Sequence, residues 1–126
     1  MAITSINVSS PSNEILFTDT AMGVTIDAIK SSSAIVYFVQ VNNSANASAV
    51  YVKLYNLASG SVSVGTTPPD ECIFVPGLAT VTHQLLTGGA AGKTFATALS
   101  AACVTTGGTA GVVAPSTSVA VTISYQ

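Results

Sequence analysis

The 126-residue sequence predicts an all-β chain: one antiparallel β-sandwich domain, jelly-roll-like or related, over residues 1–126. Three observations predict it. The texture is Val, Ile, Thr, Ser, Ala and Gly, whose β-branched members suit a pleated, half-buried surface. Turn-forming clusters recur at short intervals, at Ser10-Pro11-Ser12-Asn13, Asn42-Asn43-Ser44, Ser59-Gly60, Thr67-Pro68-Pro69-Asp70, Pro76-Gly77, Gly88-Gly89 and Gly107-Gly108. Between them, apolar and polar residues alternate with the period of two that sends successive strand side chains to opposite faces.

In chain order, strands are expected over residues 3–8, 14–18, 23–29, 34–41, 49–56, 71–75, 80–85, 94–104 and 118–125. Residues 1–20 are the candidate for an arm or edge strand that engages a neighbour. Three strands alternate cleanly. Val50, Val52 and Leu54 oppose Tyr51, Lys53 and Tyr55. Phe95, Leu99, Ala101 and Cys103 oppose Ser100 and Ala102. Val119, Val121 and Ile123 oppose Ser118, Thr122 and Ser124. Each is read as half-buried, with one wall in the core. Residues 35–41 differ, since Ile35, Tyr37 and Val39 on one face and Val36 and Phe38 on the other are all apolar. That strand is expected to be central or covered by a neighbouring subunit. No stretch reads as a helix, linker or repeat, and the glycine-rich run 88–92 reads as a loop tip.

Charge narrows the function. Only 6% of the residues are charged and 48% are hydrophobic, with a net charge of -2, where ordinary soluble domains carry roughly 25% charged residues. Little mutual repulsion holds such chains apart, so the composition points either to a membrane or to life packed against copies and partners. A membrane helix needs roughly 18–20 consecutive apolar residues, and the longest apolar run is Ala34-Ile35-Val36-Tyr37-Phe38-Val39. Outer-membrane barrels need aromatic girdles, and aromatic residues make up 6% of the chain. Packing is the better reading. Three Lys, dispersed in sequence, and no Arg argue against nucleic acid. The opening MAITSINVSS lacks the basic start and apolar core of a secretory signal. Synthesis in a host cytoplasm, and exit only inside a larger particle, is therefore expected.

The candidate chemistry is thin. Gly88-Gly89-Ala90-Ala91-Gly92-Lys93-Thr94 approaches the phosphate-cradling G-x-x-x-x-G-K-[ST], but Thr87 stands where its first glycine belongs. The residues after Lys93 alternate like a strand rather than a helix. The single histidine, His83, shares the parity of Val81 and Leu85 and reads as a hydrogen-bonded strand residue with no general-acid partner. Asp70 and Glu71 are adjacent, so they point to opposite faces, cannot act as a dyad, and read as a solvated turn. Glu14, Asp19 and Asp27 would make a calcium site only if the fold gathered them. One His and two distant Cys offer no zinc spacing, and Cys72 and Cys103 are expected to be free, buried thiols. The triplets at Asn7, Asn42 and Asn46 that match a glycosylation acceptor read as polar turns. The chain is therefore expected to have no catalytic residue, cofactor or metal.

The second half brings a resemblance. Tyr51-Val52-Lys53-Leu54-Tyr55-Asn56, Val64-Gly65-Thr66-Thr67-Pro68-Pro69, Ile73-Phe74-Val75-Pro76-Gly77, Thr94-Phe95-Ala96-Thr97-Ala98-Leu99-Ser100 and Thr105-Thr106-Gly107 resemble small virion proteins of tailed bacteriophages, of the capsid decoration or cement type. It covers roughly residues 49–126. The resemblance implies a β-sandwich-like subunit that assembles on a particle and catalyses nothing. The expected function is then that of a decoration or cement protein on the capsid surface of the virion. It would bind across subunits of the major capsid protein and associate with itself as a trimer or another small symmetric oligomer. The alternative is a tail or fibre component that recognises a host receptor or glycan. Tyr51 and Tyr55, opposite the core face of their strand, are the expected contact anchors, since tyrosine joins apolar area to a polar tip.

Overall fold

The structure, a computed structural model, describes residues 13–126. The expected strand at 3–8 and most of the expected arm at 1–20 lie outside the described residues. The described chain forms β1 (Ile15–Asp19), β2 (Asp27–Lys30), β3 (Ala34–Asn42), β4 (Val50–Tyr55), β5 (Glu71–Val75), β6 (Thr80–Gln84), β7 (Leu86–Thr87), β8 (Ala90–Ala91), β9 (Lys93–Phe95), β10 (Leu99–Val104) and β11 (Ala120–Tyr125). A 3-10 turn spans Ser59–Ser61. The expected all-β sandwich is what the chain forms.

The first sheet has the order β1-β11-β3-β6, with β9 also on β3, and the second has the order β2-β10-β4-β5. The pairing is nested. The chain is folded double, so that β4 pairs β5, β3 pairs β6, β2 pairs β10 and β1 pairs β11, all antiparallel. Successive nested pairs alternate between the two sheets, which is the jelly-roll arrangement. One cluster of buried side chains joins the sheets: Val36, Val39, Val41, Val121 and Ile123 on one side, and Val52, Leu54, Ile73, Leu99, Ala101 and Cys103 on the other.

The strand that read as apolar on both faces is central, between β11 and β6, and its double-sidedness has a local cause. Ser124 pairs Phe38 but Tyr125 pairs Val36, leaving Tyr37 as an extra residue. This bulge shifts the phase by one. Ala34 and Val36 face the core before it, and Val39 and Val41 after it. The expected continuous strand 94–104 is two strands in different sheets. The chain turns the corner at residues 96–98, where the Asn56 side-chain oxygen accepts from the Thr97 amide at 2.8 Å. Alternation runs unbroken through that corner, because Phe95 and Leu99 both point inward, so the period of two cannot reveal it. Gly88 and Gly89, with φ of 59° and 83°, make the tight turn of a small β7–β8 hairpin. Two consecutive left-handed residues are what a two-residue hairpin turn needs.

The two middle strands of the second sheet, β4 and β10, are not half-buried. Lys53, Tyr55, Ser100, Ala102 and Val104 on its outer face are as enclosed as the core. Residues 57–70 and 105–113 lie over that face: Ser100 Oγ donates to Leu57 O at 2.8 Å, and Gly107 is so close to the Tyr51 ring that a Cβ there would sit 2.7 Å from it. These two long connections form a third layer.

At one end of the sandwich the loops 20–26, 43–49, 76–79 and 105–119 meet around two buried asparagines. Asn43 Nδ2 donates to Ser48 O and Pro76 O, each at 3.0 Å. Asn46 Nδ2 donates to Asn43 Oδ1 at 2.9 Å and Thr117 O at 3.0 Å, while Asn46 Oδ1 accepts from the Thr117 amide at 2.9 Å and Ser116 Oγ at 3.2 Å. The loop 20–26 joins through the Met22 amide, which donates to Val119 O at 3.0 Å.

Candidate functional site

Charge is the first property to place. Of the three Lys and five acidic residues, only Asp70 is exposed. Every other one is partly or wholly withdrawn into the fold.

Lys53 is the most withdrawn. Its position on β4 turns it to the outer face of the second sheet, directly opposite Cys72 on β5 and Ala102 on β10. Residues 105–113 then cover it, and Nζ donates to Gly111 O at 3.0 Å and Thr109 O at 3.4 Å. No carboxylate partner is bonded to it among the described residues, so backbone carbonyls alone hold this buried cation. Burial pushes its ammonium below the ordinary amine value, with the neighbouring Cys72 thiol acting in the opposite direction.

The two expected contact anchors part company. Tyr55, wholly buried beneath the third layer, presents nothing to a partner, and its hydroxyl has no hydrogen-bond partner among the described residues. Tyr51 is half-buried and packs against Phe74, ring centroids 5.5 Å apart and planes at 57°. Phe74 remains exposed, so this aromatic pair is the part of the expected anchor that reaches the surface. Phe74 is not among the anchors the sequence suggests. The thiols also differ from expectation: both are free, but only Cys103 is buried, and Cys72 is exposed at a sheet edge. Burial pushes the Cys103 thiol up to about 12.

At the open edge between the sheets lies a cleft of about 260 Å³, lined by Glu71, His83, Gln84, Leu85, Leu86 and Lys93. Parity explains the lining. Glu71 shares the inward face of β5 with Ile73 and Val75, so it is a strand residue rather than part of a turn, and Lys93 shares the inward face of β9 with Phe95. Lys93 Nζ meets Glu71 Oε2 at 2.6 Å and Asp70 O at 2.8 Å, and lies 5.7 Å from the centroid of the Phe95 ring. The pair ties the two sheets together across the mouth. His83 has the expected parity on β6 but is exposed at this mouth, with no side-chain hydrogen bond to a described residue. The glycine-rich run before Lys93 is a hairpin followed by a strand, so the helix N-terminus that phosphate cradling requires does not come after it.

The scattered acids are partly gathered. Asp19 at the end of β1 and Asp27 at the start of β2 meet where the chain crosses between sheets, while Glu14 accepts from Ser124 Oγ. Among the described residues Asp27 Oδ2 is buried without a hydrogen-bond partner, and the Asp19 carboxyl is its charged neighbour. Burial first, then this contact and the Asp19 charge, push the Asp27 carboxyl up to about 6 from 3.8. Among the described residues no three metal-ligating side chains converge.

The raised Asp27 carboxyl makes stability depend on pH. An acid whose folded value is raised binds more protons folded than unfolded, so its contribution is full below 3.8 and is lost as pH rises through about 6. The thermal midpoint is therefore expected to fall between about pH 4.5 and about pH 7.5, and the Asp27→Asn variant to lose most of that dependence. Calorimetric melting at both pH values decides it, and an unchanged slope in the variant would contradict the pair.

Comparison with known protein families, curated proteins and solved structures finds no match for this chain.

Proposed function

We propose that this chain is a structural component of a virus particle: a decoration or cement subunit on the capsid surface of a tailed-phage head, bound across major capsid protein subunits and catalysing nothing. The observation that carries the reading is the near absence of exposed charge, with Asp70 the one charged side chain standing out in solvent. Large apolar side chains are exposed instead, among them Leu16, Phe74, Leu78 and Val113. A free monomer gains nothing from such a surface, whereas an assembled one covers it. The nested order of the strands is one that viral capsid domains share with lectins, and the resemblance of residues 49–126 to small phage virion proteins points the same way.

The mechanism is mass action. A subunit that binds only the assembled shell stabilises it by RT ln(1 + [L]/Kd), about 2.7 kcal/mol per site at roughly a hundredfold excess over Kd. Contacts without ions are little affected by salt screening. The test is the protein stain of purified particles together with electron microscopy of particles that have and lack this chain. Hundreds of copies on the head support the reading, and a chain absent from particles ends it.

One observation favours the second reading, a tail or fibre module that binds a glycan. The cleft carries a carboxylate, an amide and an imidazole around Leu85 and Leu86, at Glu71, Gln84 and His83. Few copies per particle, and binding to host glycan that Glu71→Gln abolishes, would replace the cement reading with this one.

A further inference from the structure

We propose that the loop end formed by residues 20–26, 43–49, 76–79 and 105–119 is the surface on which a second copy of this chain docks, with Leu78 as its apolar anchor. The inference deepens, and rests on, the reading of the chain as a self-assembling particle component.

Leu78 is the starting point. It is the one non-glycine residue with positive φ among the described residues, at 59°, and at 70% exposure it is the most exposed of their large apolar side chains. A left-handed backbone crowds the Cβ of a leucine, a strain that glycine or asparagine avoids. An exposed leucine contributes nothing to the core in return. Neither backbone ease nor burial therefore accounts for it.

The surroundings nevertheless hold the residue in that conformation from both sides. Its amide donates to Asn46 O at 2.8 Å, and the Asn43 amide donates to Ala79 O at 2.9 Å. Asn43 Nδ2 fixes Pro76 O at 3.0 Å. Gly77 lies so close to the neighbouring loop that a Cβ there would sit 2.0 Å from Ala47 O. Strain of this kind persists only where the structure over-determines it, and it concentrates at positions of use. The buried Asn43–Asn46 hub is the device that presents Leu78.

The identity of the partner comes from charge. The four loops contain no charged residue at all. The nearest acids, Asp19 and Asp27, lie only at their border. Across a two-fold axis a surface meets itself, so any ionic group near the axis faces its like. A surface without ions escapes that penalty. A different partner that brought a charge to this end would leave it desolvated with no counter-charge. The same end of a second copy meets both conditions, placing Leu78 against its counterpart with the exposed Ala45 and Ala47 beside it. A lipid surface would also take a leucine, but interfacial binding favours cationic and aromatic residues around the inserted side chain, and these loops contain neither.

The experiment is sedimentation velocity of the full chain across micromolar concentrations, with the variants Leu78→Gly and Leu78→Asn beside it. Both replacements accept the left-handed backbone, so both variants are expected to melt at or above the parent temperature. The parent is expected to dimerise, and each variant to weaken that dimer by about tenfold or more, the amount a central apolar anchor supplies. Unchanged self-association in both variants overturns the proposal, as does a monomeric parent. Flotation of the parent with phosphatidylcholine vesicles, lost in both variants, would overturn it in favour of lipid. A monomeric parent found in hundreds of copies on particles sinks this inference alone, and a Leu78-dependent dimer absent from particles sinks the proposed function alone.

Discussion

The Asn46→Ala variant is expected to lose about 3–5 kcal/mol of stability, one of the two largest single-residue effects outside the hydrophobic core. Asn46 is 4% exposed and makes its side-chain hydrogen bonds to Asn43, Ser116 and Thr117. Each neutral bond contributes about 1 kcal/mol net, and each buried group left without a partner costs about 1–3 kcal/mol. Alanine removes every one of these bonds and strands Asn43 Oδ1 together with the Thr117 amide and carbonyl. Asn46→Asp sharpens the test. A carboxylate keeps the acceptor for Thr117 but sets oxygen against Asn43 Oδ1 and Thr117 O, so it is expected to be at least as damaging. Urea unfolding of both variants measures the loss. A deficit under about 1 kcal/mol in either would mean that water replaces the lost partners and that the loop end is not clamped as described.

Lys53→Ala is the second, at about 2–4 kcal/mol. Hydrogen bonds from a charged donor contribute about 1.5–3 kcal/mol, and the buried stem contributes packing of its own. Lys53→Met separates the two. It keeps most of the stem, loses the bonds to Gly111 and Thr109, and removes the cost of burying a cation, so its loss is expected to be the smaller. The pH dependence gives an independent reading. An amine whose folded value lies below the ordinary 10.5 binds fewer protons folded than unfolded, so stability rises with pH through the folded value and levels off near 10.5. The parent should gain stability toward alkaline pH and Lys53→Met should not. Equal slopes in the two would mean that water reaches the ammonium in the folded protein.

The fold was largely legible in the sequence, and the reasons are specific. Val50, Val52, Leu54, Val121 and Ile123 alternate with residues of the opposite face, and each takes its inward place. Residues 71–75 were bounded correctly because the Thr67–Asp70 turn chemistry and Pro76 frame them. The misreadings have physical causes. A bulge at Tyr37 looks like a two-faced strand, because inserting one residue exchanges inward and outward positions. The corner between Phe95 and Leu99 leaves no trace in a period of two. The burial of Lys53 and Tyr55 was invisible because loops remote in sequence cover them, and no local pattern reports a cover supplied from residues 57–70 and 105–113. The candidate sites were less legible still. The Glu71–Lys93 and Asp19–Asp27 contacts join strands of different sheets, and a spacing rule cannot see that. Leu78 lay in plain view beside Pro76-Gly77, but only a backbone angle distinguishes it from an ordinary turn residue.

The doubled path of the chain has a kinetic consequence. The innermost pair, β4 with β5, closes the shortest connection of the four nested pairs, while β1 must find β11 from the far side of the whole domain. Closing long connections is entropically slow, and topologies dominated by remote partners fold over milliseconds to seconds. Assembly should therefore zip outward from the middle hairpin. β11, made last, is the strand that β1 and β3 must both await. On the ribosome the first sheet stays open until β11 has emerged, and for that interval its apolar edges are exposed to nascent neighbours.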